Sequence, residues 1–292
     1  MSSYAVVTPA HDEADNLPRL AVALAAQTLP PAKWVVVEDC SSDGTPAVLQ
    51  ELRAEHPWLR VVEAPPRVPG LAAAPRGGRV VRAFSAGLDS LGPEPALVAK
   101  VDADISFGPD YFERLTEAFV SDSRLGIASG TCYQDNGDGW RQFYGTAASV
   151  WGAARVYRRA CLDQILPLEE RMGWDGIDVV KANVEGWSTE ILLDLPFFHH
   201  RLEGSREDGN WRAWAAQGEA AHYMGYRFSY VFARSLFRAR RDPAAMSMLA
   251  TYVGCAAKRR PRYPNRDVRE FIRRQQQLRK LPSRKREALG RV

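Results

Sequence analysis

Four acidic residues follow apolar runs of the sequence, where they could hold a metal ion and a diphosphate. Glu38 and Asp39 end the run that begins at Trp34, and Asp102 and Asp104 follow the run that begins at Ala96. Short apolar runs rich in β-branched residues predict buried parallel strands, and ligands of open α/β sheets bind at the carboxyl ends of such strands. Together the two acidic pairs predict a sugar-nucleotide site.

Asp102 and Asp104 are spaced as ligands of one hard divalent cation. In a strand, the period of two would point both side chains the same way, and in a turn the two could splay around the ion. A diphosphate would supply further oxygens, so the expected cofactor is Mg²⁺ or Mn²⁺. The alternative is a solvated turn that caps the helix near Pro109.

Alternating strand and helix patterns would position these residues. A regular alternation of this kind predicts an α/β fold, with a Rossmann-like, mostly parallel sheet flanked by helices and joined by right-handed crossovers. Strands are predicted at 4–8, 34–37, 59–62, 96–102 and 187–195, and helices at 15–28, 80–91, 109–120, 157–165 and 244–257, with a further helix through Leu49 and Leu52.

The pattern divides the chain into a catalytic domain and an extension. We expect the catalytic domain at 1–217, with a nucleotide-sugar half at 1–125 and an acceptor half at 126–217, and a helical, basic extension at 218–292. The charge changes in the same direction, since residues 227–292 carry 19 Lys and Arg against 4 Asp and Glu. Such a balance indicates an anionic partner, and membrane headgroups are the first candidate.

Four motifs, in this order, resemble those of the family 2 glycosyltransferases with the GT-A fold. They are VVTPAHDE at 6–13, VVVEDCSSDGT at 35–45, DAD at 102–104, and WDGID at 174–178 followed by Gly186 and Trp187. Asp12 replaces the family's usual Asn, Glu38 the commoner Asp and Cys40 the commoner Gly. The resemblance covers about residues 4–200.

The resemblance implies a role for each motif. Thr8, Glu13, Asp39 and Glu38 would contact the uracil and ribose of a nucleotide, although helix capping is the alternative for such residues. Asp102 and Asp104 would bind the metal ion, with Asp102 also close to the nucleotide. The implied activity is a metal-dependent, inverting transfer of a sugar from a nucleotide-diphosphate donor, first a UDP-sugar, to a polysaccharide, lipid-linked or natural-product acceptor.

Two carboxylates compete for the role of general base. The acceptor hydroxyl must lose a proton as it attacks the anomeric carbon. Asp175 lies where the family's base usually stands relative to Gly186 and Trp187, and Asp178 follows one helical turn later, on the same face of a helix. The usual Glu-Asp pair is absent, so the choice between Asp175 and Asp178 stays open, with Asp175 favoured.

Further residues are candidates for the diphosphate and the sugar. His200 could complete the metal shell, with His199 a weaker candidate, and Arg201 could pair with the diphosphate. Arg79 is a phosphate candidate that could equally be a surface charge. Trp140, Tyr144 and Trp151 could stack on a sugar ring or belong to the core.

Composition and the amino terminus bound the protein class. The chain has 292 residues, of which 46% are hydrophobic and 25% charged, which is typical of a folded α/β protein. The amino terminus resembles no signal peptide, so we expect a cytoplasmic protein, peripheral at the inner face of a membrane. The four cysteines form no CxxC pair, which predicts reduced thiols.

Other interpretations remain at this point. The apolar residues Met246, Met248, Leu249, Tyr252 and Val253 could face a membrane or pack into the protein's own core. A sugar-nucleotide nucleotidyltransferase would also use acidic metal ligands, but the loop after the first strand is acidic and lacks glycine. A nucleic-acid binder with a basic tail is the non-enzymatic alternative; its aromatic residues are sparse, and we expect no nucleic-acid partner.

Overall fold

The computed structural model describes residues 3–66, 76–135, 139–143, 150–201 and 210–277. They divide into two compact units, the first taking the residues up to 201 and the second residues 210–277. The predicted boundary at 217/218 falls inside a helix, Asn210–Tyr223. The two units are therefore described separately, and the predicted catalytic domain and extension stay a prediction.

The first unit is built on one sheet with the strand order β3-β2-β1-β4-β8-β6-β9-β5 and with β7 paired to β6. Strands β3, β2, β1 and β4 run parallel, whereas β8 is antiparallel to both β4 and β6, and β6 is parallel to β9. The strands are β1 Tyr4–Ala10, β2 Lys33–Glu38, β3 Leu59–Glu63, β4 Leu97–Val101, β5 Ile105–Phe107, β6 Leu125–Asp135, β7 Trp140–Gln142, β8 Ala154–Arg158 and β9 Ser188–His199.

Helices cover both faces of this sheet, as the alternating pattern predicts. Tyr4 and Val6 of β1 face a core with α1, α2 and α4, and Ala5 and Val7 face a second core with α3, α5 and α6. The helices are α1 Leu17–Ala25, α2 Thr45–Glu55, α3 Arg76–Leu91, α4 Tyr111–Ser121, α5 Arg159–Ile165 and α6 Trp174–Val184. The predicted fold class, an α/β sheet flanked by helices, is confirmed.

Two predicted elements of the first unit differ from the structure. The helix expected at 157–165 begins only at Arg159, since Val156 and Tyr157 pair with Ala99 and Val98 of β4 in an antiparallel ladder. The strand expected at 187–195 extends to His199, because its last residues pair with β5. Pairing with distant strands, which local spacing does not report, decides both boundaries.

The second unit is helical. Helices α7 Asn210–Tyr223, α8 Phe228–Ala239, α9 Met246–Ala257 and α10 Arg266–Gln275 are joined by turns and a short 3-10 helix, Pro243–Ala245. Helices α7 and α9 approach closely at Gly218, where a Cβ atom would lie 2.2 Å from the Met248 carbonyl oxygen. Met248 and Tyr252 are buried in this unit's own core, which removes them from the apolar face predicted for membrane contact. Within the described residues, no helix is long and apolar enough to span a membrane.

Candidate functional site

The carboxyl ends of four strands lie at one edge of the sheet. Strands β1, β2 and β4 are mutually parallel. Strand β8 is antiparallel to both β4 and β6, so β6 and its parallel neighbour β9 run in the same direction as β4. The predicted acidic pairs follow β2 and β4, Glu13 follows β1 and Arg201 follows β9. Because the ends of parallel strands meet at one edge, the topology collects these residues there.

Arg201 joins two of the predicted carboxylates. It donates from Nη1 to Glu13 Oε1 at 3.0 Å and from Nη2 to Glu13 Oε2 at 2.8 Å, a bidentate ion pair. Its Nη1 also lies 3.3 Å from Asp104 Oδ2. Arg201 and Glu13 lie 188 positions apart in sequence, and the Arg201 side chain, 21% exposed, therefore links the segments that follow β1 and β4.

Asp104 is almost buried and is held ionised by its neighbours. Its side chain is 5% exposed, and the Nε2 atom of His199 lies 3.4 Å from its Oδ2 atom. The side-chain amide of Gln134 lies 3.2 Å from Nδ1 of the same imidazole. Burial would raise the pKa of Asp104, but the His199 hydrogen bond and the charges of His199 and Arg201 outweigh it and hold this pKa at about 2.

Asp102 is more open and pairs with a buried lysine. Lys100 Nζ donates to Asp102 Oδ1 at 2.5 Å and to the Gly152 carbonyl oxygen at 2.9 Å. The Asp102 side chain is 31% exposed, whereas that of Lys100 is 2% exposed. The lysine thus holds the carboxylate in place, and the carboxylate stays partly exposed.

His200, the predicted metal ligand, has other contacts. Its Nε2 atom lies 2.7 Å from Ser106 Oγ, and its ring meets Trp140 edge to face with 5.1 Å between centroids. The imidazole that contacts the Asp104 carboxylate belongs to His199 instead. The pKa of His200 is lowered by its partial burial and by the charge of Arg19. A metal-binding role for His200 stays a prediction.

Asp39 and Arg79 form the second ion pair of this edge. Arg79, in the first turns of α3, donates from Nε to Asp39 Oδ2 at 3.0 Å. Glu38 turns back on its own loop and accepts from the backbone N–H groups of Cys40 and Ser41 at 3.1 and 2.5 Å. Asp39 is therefore the carboxylate of this pair that faces another element, while Glu38 shapes the loop.

Thr8 lies inside the sheet layer. Its side chain is fully buried, and its Oγ1 accepts a hydrogen bond from Trp34 Nε1 at 3.0 Å. The structure therefore gives the hydroxyl a partner within the core. A nucleotide contact for Thr8 stays a prediction.

Asp175 borders the same region from the start of α6. Its carboxylate accepts from the Gly176 N–H at 3.0 Å and lies against Gly152, where a Cβ atom would come within 3.1 Å of Asp175 Oδ2. The Gly152 carbonyl oxygen also accepts from Lys100, which pairs with Asp102. The backbone at Gly152 therefore contacts Asp175 on one side and the lysine partner of Asp102 on the other. The side chain is partly exposed, as a proton acceptor for a bound hydroxyl requires.

Asp178, three residues later on α6, is buried in the core. It is 1% exposed and accepts from Arg155 Nη1 at 2.7 and 2.6 Å and from the Tyr157 hydroxyl at 2.5 Å. Burial raises the pKa of Asp178, and the charge of Arg155 offsets part of this effect. Arg155, itself fully buried, also donates to the carbonyl oxygens of Val150, Trp151 and Asp175. Asp178 and Arg155 therefore position the start of α6.

The sequence pattern assigned no role to Lys100, left Arg155 open between an acceptor-site residue and a surface charge, and gave His199 only a minor role. Both basic residues lie within apolar strands, at LVAKV and ARVYR. A cation at a predicted buried position demands a carboxylate partner, and that requirement was the available signal. For His199, no local feature distinguishes it from His200, because the alternation of β9 alone decides which imidazole faces Asp104.

The aromatic candidates have structural contacts. Trp140 is 41% exposed in β7, and Trp151 packs edge to face on Phe143 at 5.3 Å between centroids. Tyr144 lies outside the described residues. No sugar-stacking role is assigned to them.

Asp102 and Asp104 offer part of a site for a divalent cation. The described residues contain no group of three His, Cys, Asp or Glu side chains arranged to hold a metal ion by themselves. Asp102 and Asp104 nevertheless offer hard carboxylate oxygens on one turn, each balanced here by a cationic side chain. They fit an ion whose other ligands are supplied by a diphosphate, since the described residues alone do not complete the shell.

The family comparison decides the class of protein. The sequence model described as "Glycosyl transferase family 2" matches residues 5–231, more than half of the chain. The chain belongs to glycosyl transferase family 2. This family 2 chain gives no match among curated proteins. The membership favours the glycosyltransferase interpretation over the nucleotidyltransferase and the nucleic-acid binder.

Solved structures share the fold of this family 2 glycosyltransferase. A mannosyltransferase from Pyrobaculum calidifontis, in complex with GDP-Man and Mn²⁺, is 16% identical with a TM-score of 0.56 and coverage of 99% of this chain and 87% of that chain. S. aureus TarS 1-349 with UDP-GlcNAc is 19% identical, with a TM-score of 0.54 and coverage of 86% and 71%. In another TarS structure the match spans only 39% of that chain. These similarities show the GT-A fold.

Proposed function

We propose that this protein is a metal-dependent, inverting glycosyltransferase that transfers a sugar from a nucleotide-diphosphate donor to a polysaccharide, lipid-linked or natural-product acceptor. The observation that carries the proposal is the Arg201 bridge, which draws Glu13 and Asp104 together at the carboxyl edge of the sheet. Its support also comes from the family and from related folds whose structures contain UDP-GlcNAc or GDP-Man.

The donor nucleotide would bind along the ends of β1 and β2. Asp39 would accept hydrogen bonds from the base or ribose, since its carboxylate is accessible next to Arg79. Arg79 would exchange this partner for a phosphate oxygen, for which a guanidinium is well suited. Glu13 would act mainly by holding Arg201, and Glu38 by holding the loop.

The diphosphate would bind above Asp102 and Asp104. Related structures contain Mn²⁺ with a nucleotide or nucleotide sugar. When bound, a divalent ion held by these two carboxylates supplies Lewis-acid stabilisation of the departing diphosphate. Arg201 adds a fixed positive charge at the same place, and Lys100 keeps Asp102 oriented. Both effects lower the cost of the negative charge that develops on the leaving group.

Asp175 would be the general base. It accepts the proton of the acceptor hydroxyl as that oxygen bonds to the anomeric carbon and the bond from this carbon to the diphosphate breaks. A single displacement of this kind inverts the anomeric configuration. Asp178 is unsuited to the role because its carboxylate is buried and already accepts from Arg155 and Tyr157.

Nucleotide binding tests the proposal. UDP, GDP and dTDP are titrated by calorimetry with and without Mn²⁺, into wild type, Asp104→Asn and the control Asp163→Asn, which removes a surface carboxylate paired with Arg159. We expect one nucleotide to bind tightly only with metal, first UDP, and Asp104→Asn alone to lose this dependence. Absence of binding by all three nucleotides would refute the assignment of the donor site.

We also propose a peripheral membrane contact through α8, at the inner face of the membrane of a cytoplasmic protein. Phe228, Phe232 and Leu236 follow one another at helical spacing and are 55%, 44% and 45% exposed. Partial burial lowers the pKa of Arg238, and the charges of Arg234 and Arg241 lower it further, which indicates a positive neighbourhood. An apolar stripe beside such charge suits an anionic lipid surface.

The membrane proposal has its own test. Phe232→Ser combined with Leu236→Ser should reduce co-sedimentation with anionic vesicles, whereas Val22→Ser, an exposed valine of the first unit, should not. Equal co-sedimentation of both variants and wild type would count against a membrane-binding α8.

A further inference from the structure

A cavity of about 240 Å³ in the second unit is lined by arginines. It is formed by Gly225, Glu270 and four guanidinium side chains, those of Arg262, Arg266, Arg269 and Arg273. Arg262 precedes α10, and the other three lie on successive turns of that helix. Four positive charges thus converge on one opening with a single carboxylate beside them.

The carboxylate does not neutralise this charge. Glu270 is engaged by Arg266, whose Nε donates to it at 2.8 Å. Within the part of the chain that the structure describes, Arg262, Arg269 and Arg273 form no ion pair with an acidic side chain. Like charges three and four positions apart destabilise a helix, and a cation at its first turn opposes the helix dipole.

The arginines are carried by a packed helix. Val268 and Ile272 of α10 are 2% and 5% exposed, so its inner face belongs to the core of the unit. Arg227, just before α8, donates from its N–H to Gln276 Oε1 at 2.9 Å and from Nε to the Arg273 carbonyl oxygen at 2.8 Å. These bonds fix α10, which carries three of the four arginines, against the rest of the unit.

The cavity floor requires a glycine. Gly225 has a φ of +72°, and a Cβ atom there would lie 3.2 Å from both Cγ and Cδ of Arg269. The residue thus reverses the chain after α7 and lets the Arg269 stem pack over it. At the other side, the Tyr263 N–H donates to the Tyr223 carbonyl oxygen at 2.7 Å, which holds the segment next to Arg262 in place.

Neighbouring groups respond to the positive field. The pKa of His222 is lowered by burial and then by the charges of Arg262 and Arg260. Burial raises the pKa of Tyr252, and the charges of Arg262 and Arg273 act against this rise. Guanidinium groups arranged in this way match the oxygens of a phosphate better than those of any neutral ligand.

We propose that the Arg262, Arg266, Arg269 and Arg273 cavity is a binding site for a phosphate group, separate from the donor site and beyond the transfer reaction proposed above. The phosphate belongs either to a soluble molecule, such as a phosphorylated acceptor, or to a lipid headgroup. Both sources present the same oxygens to the arginines, and the size of the cavity admits a phosphoryl group with its hydration water.

The test compares two charge-matched variants of the full chain. Arg269→Gln with Arg273→Gln removes two charges from the cavity, and Lys258→Gln with Arg259→Gln removes two charges of the same unit outside it. Pyrophosphate is titrated by calorimetry in the presence of a chelator, so that the metal-dependent donor site does not contribute. Vesicles of phosphatidic acid and of phosphatidylcholine are compared by co-sedimentation, and circular dichroism verifies that each variant is folded.

We expect the cavity variant to bind the phosphate probe about tenfold more weakly or worse, and the control to stay within about twofold of wild type. Pyrophosphate binding without phosphatidic acid binding identifies a soluble phosphate, and the reverse identifies a lipid headgroup. Equal losses in the two variants, or no binding of either probe, would overturn the proposal. Retention on RNA that falls equally in both variants shows diffuse electrostatics and also counts against it.

The outcome is independent of the donor site. Asp104→Asn should leave pyrophosphate binding in chelator unchanged, whereas it abolishes metal-dependent nucleotide binding. Loss of nucleotide binding with retained pyrophosphate binding would therefore leave the cavity assignment standing, and the opposite result would remove only the cavity.

Discussion

Asp178→Asn separates the two candidate base residues, because Asp178 is buried in an ion pair with Arg155 whereas Asp175 is partly exposed. The substitution removes the carboxylate that accepts from Arg155 Nη1 at 2.6 to 2.7 Å, in a pair whose side chains are 0% and 1% exposed. Arg155 then remains as a buried cation that has lost this ion pair. Breaking one side of such a pair costs about 3 to 5 kcal/mol of unfolding free energy.

This loss is large for a protein of this size. Native domains are stable by roughly 5 to 15 kcal/mol, so a loss of about 4 kcal/mol leaves a folded but clearly weakened enzyme. The corresponding decrease in Tm is about 10 °C. Urea unfolding monitored by tryptophan fluorescence measures the free energy, and calorimetry measures Tm.

Asp175→Asn should behave in the opposite way. The Asp175 carboxylate is partly exposed and accepts one N–H bond from Gly176, so its loss should change stability by less than about 1 kcal/mol. If Asp175 is the base, kcat should fall by about 10² to 10⁴ while nucleotide affinity stays close to wild type. Donor turnover under saturating metal gives kcat.

A double variant tests the physical reason. Arg155→Met combined with Asp178→Leu replaces the ion pair by apolar side chains, and it should recover much of the stability that Asp178→Asn loses. The reasoning is refuted if Asp178→Asn unfolds like wild type and yet abolishes turnover, or if Asp175→Asn retains full activity. The first result would assign the base to Asp178, and the second would exclude Asp175 from the role.

Three further predictions concern the site. Arg201→Gln should weaken metal-dependent nucleotide binding by about tenfold or more in calorimetry, since it removes the charge between Glu13 and Asp104; unchanged affinity contradicts the bridge. The pKa of Asp104 is about 2 in the folded protein, against an ordinary value of 3.8. At pH values above 3.8 this carboxylate therefore stabilises the fold by about 2 kcal/mol, and the stabilisation is lost as the pH falls toward 2. Urea midpoints against pH should show a shallower acid slope in Asp104→Asn, and an identical slope would be the contrary result. Gly152→Ala places a Cβ atom 3.1 Å from Asp175 Oδ2, so kcat should fall with nucleotide affinity within about twofold, and loss of affinity instead would place the residue in the donor site.

Local pattern predicted the nucleotide side of the sheet well, and it did so for a physical reason. Strands β1 and β2 are continuous apolar runs bounded by polar turns, and both faces of each are buried. Such runs carry enough information to be recognised from neighbours in sequence alone. In β8 the sequence ARVYR is short and interrupted by arginines, and its pairing with β4 fixed a strand where helical spacing had been expected.

The placement of charge shows the same limit. Lys100 and Arg155 are buried because distant carbonyl oxygens and carboxylates receive them, and those partners lie on other elements. Local sequence does not distinguish the two histidines that follow Phe198. The register of β9 against β6 and β5 is what turns His199 toward Asp104. Long-range pairing of this kind cannot be worked out from spacing.

The sequence by itself determined the fold class, the family and the short acidic motifs, because these depend on local periodicity and on residues that are adjacent in the chain. The tertiary structure decided how the motifs are used. It joined Arg201 to Glu13 and Asp104, buried Asp178 while leaving Asp175 partly exposed, and gathered four arginines of the second unit around one cavity. Each of these outcomes depends on which side chains meet after distant segments pack, and that is a property of the folded chain.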